Sequence, residues 1–350
     1  MSKRIHAFDR RLHEMSCLSD VAGLRIGHAN MQARATGCSV VLVPDGACAA
    51  VDVRGAAPGT RETDLLTPGN LVEHVHAIAL CGGSAFGLDA ASGVVHWLEE
   101  RGFGLQTGPS LVPIVPAAVL FDLLLGDARI RPDAQCGYAA CEAAMQNTVA
   151  GPVQQGNVGA GSGAVVGKIF GLERAMRGGI GSASVTVGGA TVGALVACNA
   201  VGDVRHPYSG QVLAGARVAE GVQEMLDAHA ALLDGAQPQS VLAGTNTTIG
   251  VIATNIDLDK PRLQRLALAG HDGLARTITP VHTMSDGDTL FALSTRQQSD
   301  APSMLLLAAM ASEAVALAIV RAVLHAHPYQ DAVITIPSAH WSQMNSCVSG

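Results

Sequence analysis

The stretch Gly244-Thr245-Asn246-Thr247-Thr248-Ile249 constrains this chain more than any other. A loop, Gln237-Pro238-Gln239-Ser240, leads into it, and it opens an apolar run from Thr248 to Thr254. A β-branched run bounded by turn residues predicts a strand, here one in the core. Asn246 and Thr247 therefore stand where a polar loop enters buried structure. A cut between them would leave Thr247 as a new N-terminus, with a hydroxyl and a free amine on one small framework. The hydroxyl alone is a weak nucleophile, and an adjacent amine can act as its base. An α-amino group has a pKa near ~8, close to where a general base works best at neutral pH. The same residues also read as an ordinary strand entry, and Asn246-Thr247-Thr248 as a glycosylation acceptor. The rest of the chain bears on that choice.

Aromatic residues make up only 3% of the 350 residues, while hydrophobic residues reach 48% and glycine numbers 40. The core must then be built from small aliphatic side chains with backbones in close approach. The length allows one large or two modest domains. A net charge of −7 with no basic block argues against a nucleic-acid partner. Lys3, Arg4, Arg10 and Arg11 precede no apolar segment, so residues 1–17 read as a polar extension rather than a targeting signal, ahead of a single domain over 18–350. The most apolar run, Met304 to Ala326, contains Glu313 and Arg321, which predicts a buried or interface helix rather than a membrane span. Eight cysteines without a CxxC pair read as reduced thiols of a cytoplasmic protein. His74-x-His76 and His325-x-His327 lack a visible third ligand, so no metal is expected.

Along the chain, Cys38 to Pro44 and Ala47 to Val53 read as two strands of a hairpin turned by Asp45-Gly46. The polar, Gly/Pro-rich segment Arg54 to Asp64 is either a binding loop or an ordered structural one. Val75 to Leu80 is a strand. Gly82-Gly83-Ser84-Ala85-Phe86-Gly87 turns it into a helix that ends near Arg101. Phe86 stands where a nucleophile elbow needs glycine, so Ser84 reads as a helix cap. Val112 to Pro116 predicts a strand and Ala134 to Asn147 a helix. Gly156 to Gly163 leads to Gly167-Lys168, but Ser162 and Ile169 break the P-loop pattern, and no third glycine completes a dinucleotide fingerprint. Nucleotide cofactors are therefore excluded. Gly159 and Gly161 remain as places where backbone can approach a small ligand.

Gly188-Gly189 predicts a hairpin between strands 183–187 and 190–201. Asn199 lies in the second of these strands, and its amide needs partners; it either caps a bulge or points a donor into a site. Gln211 to Leu233 reads as a long amphipathic helix. Asp259 predicts a helix N-cap, with Pro261 in the first turn. Asp286-Gly287-Asp288, at the mouth of strand 290–294, can turn two carboxylates toward one cavity, or be a plain Asp-Gly turn. A helix over 303–326 and a strand over 332–336 close the chain.

Five motifs in this order resemble the DmpA-like L-aminopeptidase/D-esterase family of self-processing N-terminal-nucleophile hydrolases, which includes nylon-oligomer hydrolase. They are Val51 to Thr63, Gly82 to Gly87, Gly159-Ala160-Gly161 with Gly167-Lys168, Asn246-Thr247-Thr248, and Asp286-Gly287-Asp288-Thr289. The likeness runs from about Leu18 to about Ala326. It implies an α/β fold, a layered αββα sandwich, cut into 1–246 and 247–350. It implies Thr247 as nucleophile, Lys168 and Asn199 as neighbours with Asn199 an oxyanion donor, Asp286 serving the nucleophile and Asp288 the amine. Thr247 with Asp-Gly-Asp follows the nylon-oligomer hydrolase branch; many aminopeptidase members carry Ser and Ser-x-Glu instead. Where a tyrosine aligns beside the oxyanion, this chain has Phe121. The resemblance implies small peptide or aminoacyl amide substrates, no cofactor, and a homo-oligomer of processed pairs. Acyl transfer of the ornithine acetyltransferase type, or an unprocessed ligand-binding protein, are the alternatives.

Overall fold

The apolar run after the Asn-Thr step is a strand buried along its whole length, Thr247–Ile256. The computed structural model describes residues 3–147, 151–239, 246–300 and 302–339. Gly244 and Thr245, on the N-terminal side of the proposed cut, lie outside the described residues.

Nine strands form the main sheet: β1 (Arg25–Asn30), β2 (Gly37–Val53), β3 (Thr60–Arg61), β4 (His74–Cys81), β5 (Ala117–Val119), β6 (Gly179–Val187), β7 (Ala190–Asn199), β8 (Thr247–Ile256) and β9 (Thr289–Gln298). Among the described residues six α-helices accompany them: α1 (Lys3–Leu12), α2 (Ala90–Glu100), α3 (Ala134–Gln146), α4 (Ala228–Leu233), α5 (Lys260–Thr277) and α6 (Met304–Leu324). The strand order is β6-β7-β8-β9-β2-β4-β5-β3, with β1 on β2. The pairs β8–β9 and β4–β5 are parallel, and the other pairs are antiparallel.

β2 is one 17-residue strand rather than the expected hairpin. Gly46, at φ +83, sits in a register shift between Leu42 and Ala47, so Asp45-Gly46 bends the strand without reversing it. The first half of β2 pairs with β1 and β4, and the second half with β9. The sheet thereby folds onto itself. Alternate residues of β8 and β9 (Ile249, Val251, Ala253, Phe291, Leu293) meet Val41, Ile78, Leu80 and Ala118 between the two halves. Their opposite neighbours, Ile252, Leu290 and Ala292, pack under α5 and α6, while Val40, Leu42, Ala77 and Ala79 pack under α2 and α3. Two helix layers around two sheet halves make the αββα sandwich. Each large aliphatic side chain buried this way contributes about 1.5–3 kcal/mol over its exposed state.

Small residues set the layer spacing. A Cβ on Gly181 of β6 would lie 2.0 Å from the carbonyl oxygen of Ala318 in α6. α6 is apolar enough to cross a membrane by length and composition, but 78% of its most apolar window is covered by its own chain. It therefore serves as a core helix here. Its N-cap is Ser303, and Asp259 caps α5 with Pro261 in the first turn.

Several local expectations change. The segment 211–233 is not one helix: Val212–Ala214 is a short strand against Asp203–Arg205, and only α4 is helical. The buried Asp203 carboxylate accepts the N–H groups of Ala216 and Ala228, which captures the backbone that a helix would have used. Strand 112–116 is displaced to Ser110–Val112 and β5, because Pro113 and Pro116 offer no ladder donor. Ser84 takes φ +55, and its N–H donates to the Leu120 carbonyl; it does not cap α2. The terminal strand shrinks to Thr335–Ile336 against Tyr329–Gln330. The polar extension forms α1, whose Phe8 and Leu12 are buried, and the Arg321 guanidinium donates to the carbonyls of Arg11, Glu14 and Ser16.

Candidate active site

Thr247 opens β8 directly opposite Asn199, the last residue of β7. Directly opposed residues of an antiparallel pair present their side chains on one face. Here that is the face between the two sheet halves, where Ile249 and Ala197 continue the same rows. Both residues are buried. The Thr247 hydroxyl donates to the carbonyl oxygen of Asn246, the carbonyl on its own N-terminal side. The same oxygen accepts the N–H of Gly287 at 3.0 Å. A side chain at Gly287 has no room: its Cβ would lie 2.6 Å from the Ala57 carbonyl and 3.1 Å from the Thr247 Oγ1.

The segment Arg54–Pro58 holds the Asp286-Gly287-Asp288 turn through backbone bonds. The N–H groups of Arg54 and Ala57 donate to the carbonyls of Asp288 and Asp286, each at 2.9 Å. Gly55 lets the two backbones touch, since a Cβ there would lie 2.2 Å from the Asp286 carbonyl. This polar loop, read from sequence as a binding loop or a structural one, clamps the acidic turn.

The two carboxylates do different things. Asp288 Oδ1 accepts the Thr248 N–H at 2.7 Å, and Oδ2 accepts from His282 through its N–H at 3.3 Å and its Nδ1 at 2.8 Å. Asp286 accepts the Thr283 N–H at 2.7 Å. Burial raises the Asp286 pKa to about 6, with the nearby Asp288 charge adding to the rise and the Thr283 bond opposing it. Lys168, in a 3-10 turn behind Gly167, donates from Nζ to the Asn199 carbonyl and to Asn199 Oδ1, both at 2.9 Å. Burial lowers the Lys168 pKa to about 7, against a pull upward from Asp286. Asn199 Oδ1 also accepts the Val165 N–H at 3.0 Å, and its Nδ2 donates to the Phe121 carbonyl at 2.9 Å.

The structure thus brings Thr247, Asn246, Asn199, Lys168, Asp286 and Asp288 into one neighbourhood. Phe121 joins it through its main-chain carbonyl. The next residue, Asp122, fixes that point by accepting from Arg34, Thr36 and the Gly83 N–H. Gly159 and Gly161 are closely packed positions, where a Cβ would lie 2.1 Å from Ser39 Oγ and 2.2 Å from the Ile180 nitrogen respectively. Sequence reasoning passed over the Gly287 N–H and His282, though both lie inside or beside the acidic motif. It also passed over His271 on α5, for which no local signal exists.

A hydroxyl against a carbonyl, a backbone donor on that carbonyl's oxygen, and two groups whose pKa values burial moves toward neutrality can support acyl transfer at the Asn246–Thr247 bond. The αββα sandwich is the architecture of the Ntn hydrolase fold. The sequence profile of peptidase family S58 matches residues 16–333, and the chain belongs to that family. It is 45% identical over 300 residues to an uncharacterized aminopeptidase of Mycobacterium leprae, covering 80% of this chain and 79% of the relative. It is 35% identical over 278 residues to a 6-aminohexanoate-oligomer endohydrolase of Kocuria sp., covering 79% and 74%. The fold matches the L-aminopeptidase D-Ala-esterase/amidase of Ochrobactrum anthropi with TM-score 0.68 at 20% identity, over 96% of this chain and 94% of the other. A Burkholderia sp. beta-aminopeptidase matches with TM-score 0.69 at 22% identity, over 96% and 94%. The protein is a hydrolase of the aminopeptidase type.

Proposed function

We propose that the chain cuts itself between Asn246 and Thr247, and that Thr247 then hydrolyses amide or ester bonds of small aminoacyl substrates. The observation that carries this reading is the Asn246 carbonyl, met on one oxygen by the Thr247 hydroxyl and the Gly287 N–H. In the cut, Thr247 Oγ1 attacks the Asn246 carbonyl carbon and gives its proton to a base. Charge collects on the carbonyl oxygen, where the Gly287 donor stabilises it. The C–N bond breaks, the Thr247 nitrogen takes up a proton, and an ester joins Asn246 to Thr247. Water hydrolyses that ester, leaving a carboxylate on Asn246 and a free α-amine on Thr247.

During the cut Thr247 has no amine, because its nitrogen is the scissile amide. Asp286 is the base that fits, since a carboxylate with a pKa near 6 is both ionised and basic at neutral pH. During turnover the new α-amine takes the hydroxyl proton, an acyl-enzyme forms on Oγ1, and water releases it. Asn199 and backbone N–H groups serve the substrate oxyanion, and no cofactor takes part. The two chains stay joined because β8 is held between β7 and β9 by its whole length. The names of the relatives point to substrates with a free amino terminus, peptide-like or 6-aminohexanoate-like. We place the processed pairs in a cytoplasmic homo-oligomer, to be checked by light scattering. A denaturing gel of the purified protein followed by an aminoacyl p-nitroanilide panel tests the reading. Two bands with amine-dependent hydrolysis support it, and one uncut band overturns it.

A further inference from the structure

His282 meets the Asp288 carboxylate twice, and it does so from a costly backbone. Its φ is +56, a left-handed value that costs an ordinary residue roughly 1–2 kcal/mol. A carboxylate oxygen only accepts, so the Nδ1 that lies 2.8 Å from Asp288 Oδ2 carries the hydrogen. Behind His282 stands His271 of α5, its ring edge-to-face at 4.9 Å between centroids. The His271 Nε2 lies 3.1 Å from the Asp52 carbonyl oxygen and 3.4 Å from Asp52 Oδ2, both acceptors, so this nitrogen also carries its hydrogen. Burial lowers the His271 pKa to about 4, which leaves that ring uncharged at neutral pH. Asp52 in turn pairs with the Arg54 guanidinium at 2.9 Å, and the Arg54 N–H donates to the Asp288 carbonyl. The contacts run from Asp288 through His282, His271, Asp52 and Arg54 and return to Asp288.

We propose that His282 is a positioning residue for the hydrolytic reaction: its Nδ1–H holds Asp288 with one carboxylate oxygen turned to the Thr248 N–H beside the nucleophile, and His271 braces the ring. The proposal rests on the reading of Thr247 given above. The other ionisable groups facing Asp288 are Asp286 on the same turn and Cys198 near the end of β7. Without its anchor the carboxylate turns away from Thr248, which lowers kcat more than it raises KM.

Three substitutions test this on the processed enzyme with an aminoacyl p-nitroanilide. Asn in H282N tolerates the left-handed backbone and puts an amide N–H where Nδ1 was. Gln in H282Q reaches toward the Nε2 position instead, and Leu in H282L has no donor. H282L and H282Q should lose about tenfold or more in kcat with little change in KM. H282N should regain most of the lost rate. Wild-type kcat in H282L would overturn the proposal. Histidine nitrogen NMR of the wild type tests it without relying on any variant's turnover. It should find His282 protonated at Nδ1 at neutral pH, and an unprotonated Nδ1 would overturn it. A wild-type chain that is uncut on a gel would overturn the Thr247 reading itself, and this proposal with it. A cut, active wild type with an indifferent H282L removes the proposal alone.

Discussion

The N–H of Gly287 donates to the carbonyl oxygen of Asn246 at 3.0 Å. That bond joins the two motifs that lie about forty residues apart in sequence, and it places a donor on the oxygen where charge would develop during self-cleavage. An isolated bridge between Asn246 and Asp286 fixes the register that makes it. The clamp from Arg54 to Pro58 holds the turn from the other side.

Gly287→Ala tests that bond. The new Cβ would crowd the Ala57 carbonyl and the Thr247 hydroxyl, so the turn must shift away from Asn246. Self-cleavage should slow by about a hundredfold or more, the usual loss for one oxyanion donor. The uncut fraction of freshly purified protein, followed over time, measures it. Cleavage of the variant at the wild-type rate would remove Gly287 from the mechanism.

The base for self-cleavage has a pH signature. If Asp286 acts in its ionised form, the rate rises with pH through about 6 and then levels. If neutral Lys168 acts instead, the rise falls near 7. Asp286→Asn should leave mostly precursor and abolish the inflection near 6. Asp288→Asn should impair turnover more than the cut, since Asp288 binds the N–H of Thr248 rather than the scissile carbonyl. Stopped time courses of precursor across pH, read on gels, separate these outcomes.

Asn199→Ala should cost both stability and rate. It strips an acceptor from the Val165 N–H and from Lys168, and a donor from the Phe121 carbonyl. A buried N–H left without its partner costs about 1–3 kcal/mol. Thermal unfolding of the T247A single chain with and without this change gives the stability loss. An unchanged melting temperature would show that the three bonds carry no net stability.

The strand behind Thr247 was legible because its apolar run has clear limits and turn residues on both sides. The cap of α5 was legible because Asp259 and Pro261 are local signals. The opposition of Asn199 and Thr247 was not, since it depends on β7 and β8 pairing across a long connection. Asp45-Gly46 carries a hairpin signal but fills a bend in β2, where the flanking halves find different partners. Gly159 and Gly161 let neighbouring chain pack closely. The helical period over 211–233 was overruled by one buried carboxylate, Asp203, whose partners lie thirteen and twenty-five residues along the chain. The role of His282 was hidden for a similar reason, because its brace, His271, comes from α5.

Intact mass measurement with N-terminal sequencing of the purified wild type, beside Thr247→Ala and Thr247→Ser, tests the central claim most directly. The account predicts two chains from the wild type, the second beginning at Thr247, with slower cutting at the same bond in T247S. It predicts one full-length, folded and inactive chain from T247A. A wild type that stays as one chain, or a second chain that begins at any other residue, would contradict it.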